Sequence, residues 1–202
     1  MGSRRMGRKR FQRLAEMGES MAAVSGSKPG AGFKCAKVTR TKQGHKIITE
    51  IAVDLGCTGS HIGASTTAGD VIGAKGIDGA YLCQLAPAQT GYITYVEMVC
   101  TEAPTGAERD IDLVMCGPIA RTGSFDDKAS DMSSTTLVES AANWTLGRID
   151  HYAVAHGTAL DLGSEFQYLY LINGASGEPG TYATGKFVIT VEGYKVNADL
   201  PG

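Results

Sequence analysis

The chain has 202 residues, 43% hydrophobic and 20% charged, with a formal net charge of -2. That length holds one domain, or one domain and a tail, and that balance excludes a disordered polymer. The 27 glycines follow no triplet repeat, which excludes collagen. The longest uncharged runs also fall short of the ~18 apolar residues that a membrane helix needs.

Charge is unevenly spread. Residues 1–30 carry seven basic side chains against two acidic ones, and the rest carries twelve against nineteen. Arg4, Arg5, Arg8, Lys9, Arg10 and Arg13 crowd into one stretch, with Phe11 as its single aromatic. Phe11, Leu14, Met17 and Met21 stand near helical spacing, so a helix is expected between Arg8 and Val24. SGSKPGAG, residues 25–32, is a linker by composition. A basic, partly helical arm and its linker therefore fill 1–32, ahead of a domain over 33–202. The start has no apolar core for a secretory signal, and Met6 stands where a myristoylation signal needs Ser or Thr. Synthesis in the cytoplasm is the expectation.

From Phe33 the period changes from about four to two. FKCAKVTR and HKIITEIAVDL alternate as strands. A Gly/Ser/Thr-rich region, 56–79, follows, then YLCQLA and GYITYVEMVCT, split by PAQTG, and then DIDLVMC. TGSFDDKASDMSST, 122–135, reads as a polar loop. LVESAANWTLG is ambiguous, because Leu137, Ala141 and Trp144 also fit a helix. RIDHYAVAHG, EFQYLYLIN and GKFVITVEGYKV supply the remaining strands. In the last, Phe187, Ile189 and Val191 share one face, and Val188, Thr190 and Glu192 share the other. Eight to ten strands without alternating helices predict an all-β fold, a jelly-roll-like antiparallel β-sandwich. EFQYLYLIN is the expected hairpin partner of the last strand, and Tyr194 is expected near an intersubunit edge.

Motifs for chemistry are sparse. Cys35, Cys57, Cys83, Cys100 and Cys116 form no CxxC, and are expected as buried thiols in a reducing compartment rather than a zinc site. His151 and His156 are five apart, on opposite strand faces; His45 and His61 stand alone. Ser60 beside His61 lies outside any GxSxG elbow, and GDVIGAKG lacks the Ser or Thr that closes a phosphate loop. Asp110 and Asp112, beside Glu108, could hold a cation or exchange protons; the reading preferred for them is a solvated strand face. Asp126, Asp127 and Asp131 lack the glycine and closing glutamate of an EF-hand. No catalytic residue, cofactor or metal is expected. The arm could release counterions from phosphates or dock on an acidic protein surface, and a solvated tail is the bland alternative. No sequence-reading motif for nucleic acid accompanies it.

The C-terminal half carries Pro104, Thr105 and Gly106, the DIDL run Asp110–Leu113, the YLYL run Tyr168–Leu171, Gly180, Thr181, Tyr182, and Gly185, Lys186, Phe187. These residues resemble a group of virion-associated proteins of marine tailed bacteriophages. The resemblance implies a place in the phage head as a decoration or cement protein, not an enzyme. Its implied partners are the major capsid protein and further copies of itself, as a trimer, with localisation in the virion. The arm residues Arg4, Arg5, Arg8, Lys9, Arg10 and Arg13 are the expected contacts to capsid or nucleic acid. A jelly-roll coat protein with the arm on nucleic acid is one alternative. A carbohydrate-binding sandwich is another, weakened by the single tryptophan, Trp144.

Overall fold

The computed structural model describes residues 23–24, 28–59, 61–117, 120, 122–152 and 159–195. The strands are β1 (Ala23–Val24), β2 (Ala36–Gln43), β3 (Lys46–Asp54), β4 (Ile62–Ala64), β5 (Gly73–Ala74), β6 (Cys83–Leu85) and β7 (Tyr92–Thr105). They continue with β8 (Ile111–Cys116), β9 (Thr135–Val138), β10 (Ile149–Tyr152), β11 (Gln167–Asn173), β12 (Gly180–Thr181) and β13 (Thr184–Tyr194). PAQTG, expected as a turn, forms a short helix α1 (Pro87–Thr90), with Pro87 in the first turn, where its missing N–H costs nothing.

The pairings are nested. β8 pairs with β9, β7 with β10, β6 with β11 and β3 with β13, all antiparallel. This is one long ribbon doubled back between β8 and β9, then rolled so that β13 also meets β7 and β11 meets β8. The result is two sheets, ordered β1-β2-β3-β13-β7-β10 and β6-β11-β8-β9. The fold is an all-β antiparallel sandwich with the strand order of a jelly roll. The rolling overturns one expectation. EFQYLYLIN is not the hairpin partner of the last strand: β11 lies in the other sheet, and β13 sits between β3 and β7. In a rolled ribbon, successive strands cross from one sheet to the other.

Between the sheets lies the main core. Phe187, Ile189 and Val191 point into it from β13, Ile51 and Val53 from β3, and Val96, Met98 and Cys100 from β7. Leu113, Met115, Leu169 and Leu171 meet them from the second sheet. Every residue of β8 is buried, so its two faces cannot both look at the first sheet. Val114, Cys116, Tyr168, Tyr170 and Ile172 pack instead under a layer of loop residues, Val71, Ala80, Ala120, Ala129 and Met132. The glycine-rich region thus does more than turn the chain: it roofs the second sheet and adds β4 and β5 to a three-stranded sheet with β12.

Two sequence expectations change here. Ala23 and Val24, placed at the end of a helix by periodicity, pair as β1 with Thr41 and Arg40; the rest of that helix lies outside the described residues. Cys35 and Cys57 form a disulfide, while Cys83, Cys100 and Cys116 are buried thiols, as expected. Sequence spacing alone did not show that pairing of β2 with β3 would bring residues 35 and 57 together.

Candidate functional site

Both chain ends join the fold at one place. β1 meets β2 at Thr41 and Arg40, and the Lys195 amide donates to the His45 carbonyl at 3.1 Å. Ala23 and Lys195, at the two ends of the described chain, thus both lie near the β2–β3 turn. The arm side chains Arg4, Arg5, Arg8, Lys9, Arg10 and Arg13 lie outside the described residues, as do Ser60 and His156.

The outward face of the six-stranded sheet starts at this end. Tyr194 stands opposite Tyr92 across the β13–β7 pairing, and both residues are partly exposed. Lys46 pairs with Glu192 at 2.6 Å, and Lys186 with Glu102 at 2.7 Å. Tyr95 donates to Glu97 at 2.6 Å and stacks on His151 with centroids 6.3 Å apart. That hydrogen bond to a carboxylate, helped by burial, pushes the Tyr95 hydroxyl up to about 12. The face is a ladder of complementary charges and aromatics, suited to contact with a polar surface. Trp144 cannot contribute: it is 1% exposed, its Nε1 donates to the Ile111 carbonyl at 2.7 Å, and Arg148 covers its ring at 5.0 Å.

At the opposite end of the strands sits a second polar cluster. Asp110 and Asp112 are each 8% exposed, which overturns the reading of a solvated strand face. Their Oδ1 atoms lie 2.6 and 3.0 Å from the point where a Gly174 side chain would begin, so only glycine leaves room for them. The Ser140 amide donates to Asp112 Oδ1 at 2.8 Å. The Ser140 hydroxyl touches both Asp110 Oδ1 and the Ala142 carbonyl. Burial pushes the Asp112 carboxyl up; Asp110 adds to this, and the Ser140 amide opposes it. Glu108 turns away, its Oε1 accepting from the Arg109 and Asp110 amides at 2.8 and 2.9 Å. Among the described residues no group of three His, Cys, Asp or Glu side chains is placed to hold a metal ion. The Asp110–Asp112 pair closes the loop after β9 onto β8 through the Ser140 amide.

The sequence reading missed Arg40, which is 1% exposed although its strand is otherwise only partly buried. Its Nε donates to Thr49 Oγ1 at 3.1 Å, Nη1 to Gln89 Oε1 at 2.6 Å and Nη2 to the Gln84 carbonyl at 3.1 Å. Burial lowers its pKa from the ordinary value. Arg40 thus bolts β2 and α1 to the second sheet, directly beneath the point where β1 enters. Nothing in KVTRTK marks that arginine as different from its lysine neighbours.

No family model, no curated protein and no solved structure matches this chain.

Proposed function

We propose that the protein is a structural component of a virion, a decoration or cement protein that binds and stabilises a phage head. The observation that carries this reading is a jelly-roll sandwich with a strongly basic segment rooted at the edge of its larger sheet. Jelly rolls recur in viral shells, and arms extending from rigid sandwiches tie neighbouring subunits together. The PTG, DIDL, YLYL and GTY stretches that resemble phage virion proteins fall on β7 to β13 and the connections between them, and Ile111, Leu113, Leu169, Leu171 and Tyr182 among them line the main core. The outward sheet face, with Tyr92, Tyr194 and its lysine–glutamate pairs, is the surface offered to the major capsid protein. A homotrimer is the form in which many weak contacts add to useful avidity.

The six arm charges favour a second reading, a coat protein whose arm lies on nucleic acid. Absolute mass by light scattering, at low and at high salt, separates the two. A discrete trimer at both salts is expected. Large uniform particles, or bound nucleic acid that departs with salt, would replace the cement reading with the coat reading.

A further inference from the structure

Five cysteines occupy two environments. Cys83 and Cys100 lie on strands facing the core between the sheets and Cys116 on a strand face roofed by loops, and all three have 0% exposure. Burial also pushes the Cys100 and Cys116 thiols up, the latter to about 12, which suppresses the reactive thiolate. Cys35 and Cys57 are only half-buried, and they are bridged. Their Cα atoms are 6.0 Å apart, within the span of roughly 4.4–6.8 Å that a disulfide bridges without backbone movement.

The place of the bridge gives it a task. Cys35 stands immediately before β2, and Cys57 follows the end of β3. The Asp54 amide donates to the Cys35 carbonyl at 3.0 Å, so the bridge lies at the open end of the β2–β3 pair. β2 pairs with β3 along its length, but among the described residues its other edge is covered only at Arg40 and Thr41, by β1, and Arg40 is its one fully buried residue. Just upstream, the Gly30 amide donates to the carbonyl of Tyr81, in the connection before β6, at 2.9 Å, and Phe33 is fully buried. A cross-link here stops β2 from peeling away, and with it β1, the root of the basic arm.

We propose that the Cys35–Cys57 pair is a redox-operated clamp on β2: open in a reducing compartment, and closed by exchange with a small-molecule disulfide such as glutathione disulfide outside it. One protein thiolate attacks a sulfur of the small disulfide and expels a thiol. The other then attacks the mixed disulfide at the protein sulfur and expels the second. The protein loses two protons and two electrons, and the small disulfide is reduced to two thiols. Exposed Lys34 and Lys37 put positive charge beside Cys35, which draws in an anionic disulfide. The three buried thiols cannot compete, so the product is a single pairing.

The test uses the full chain, incubated with oxidised or reduced glutathione. Titration after denaturation should find three thiols in the oxidised form and five in the reduced form. The oxidised form should melt higher by roughly 5–15 °C, the span expected when a cross-link closes a loop of this length. Amide exchange in residues 36–43 should speed up on reduction, while residues 187–191 stay protected. The variant carrying both Cys35→Ser and Cys57→Ser should melt like the reduced wild type and ignore reductant. Five titratable thiols after oxidation would overturn the proposal. So would equal melting of the two wild-type forms, or exchange that rises equally in both segments. These readings need only the wild type, so they hold even where the variant fails to fold, and they are independent of any role in a virion.

Discussion

Asp112 ties two strands to a loop at the cost of burying a carboxyl group. Its folded pKa lies above the unfolded one, so the protonated form favours the native state. That contribution is complete below the unfolded value of ~3.9 and is lost as pH rises through the folded value. Asp112→Asn keeps an acceptor for the Ser140 amide and places amide hydrogens where the acid would hold its proton. Its stability relative to wild type should therefore grow as pH rises from about 4 to about 7. Urea unfolding at several pH values measures this, and a difference that stays constant with pH would refute it. Arg40 is the second such residue. Arg40→Lys retains the charge but not the planar fork, so it cannot reach Thr49, Gln89 and the Gln84 carbonyl together. Losing two of these bonds should cost about 2–4 kcal/mol, read from the urea midpoint. An unchanged midpoint would mean that water replaces the lost partners fully.

At the scale of elements, β13 is the strand on which the larger sheet is built, because it pairs from Lys186 to Tyr194 on both sides. Ile189 is 0% exposed and lies between Ile51 and Met98 in the pairing. Ile189→Asp sets an unpartnered carboxylate there, costing several kcal/mol against a total stability of about 5–15. Loss of soluble folded protein is expected, and a soluble variant with native circular dichroism would refute the assignment. This strand was legible in the sequence because one of its faces is solvated, which leaves a clean alternation. β8 was less so: loops cover its outer face, both faces are buried, and the aspartate at 112 looked like a solvent position. Trp144 fitted a helical spacing with Leu137 and Ala141, yet it sits in the loop after β9, held by Ile111 and Arg148. Periodicity reports which face is wet; it does not report what a loop folds over. The strand order was hidden for the same reason, since a rolled ribbon and a simple meander share one alternating pattern.

At the scale of the whole molecule, the described sandwich and the first 22 residues of the sequence carry opposite net charge. The main core begins at Phe33, and residues 1–22 hold six basic side chains against two acidic ones. Their removal leaves a formal charge of -6 on the remainder, from -2 for the full chain. Deletion of residues 1–22 should leave the β-sheet circular dichroism unchanged and shift the melting temperature by no more than about 2–4 °C, the effect of ~1 kcal/mol in a domain of this size. A larger fall would show that the segment packs as part of the fold. The deletion should also abolish retention on a heparin column at low salt, whereas the full chain should be retained and released as salt rises. The slope of affinity against salt then identifies the surface that the arm meets. Six charges on duplex DNA predict a slope of log affinity against log salt near -5, from about -0.9 per neutralised phosphate. An acidic protein surface has no condensed counterion atmosphere to release, so a capsid-bound arm should give a shallower dependence. A full-chain slope near -5 on DNA, together with loss of DNA from purified particles at high salt, would place the arm inside a shell. A shallow slope, with binding to heads that the truncated chain cannot match, would place it on the outside.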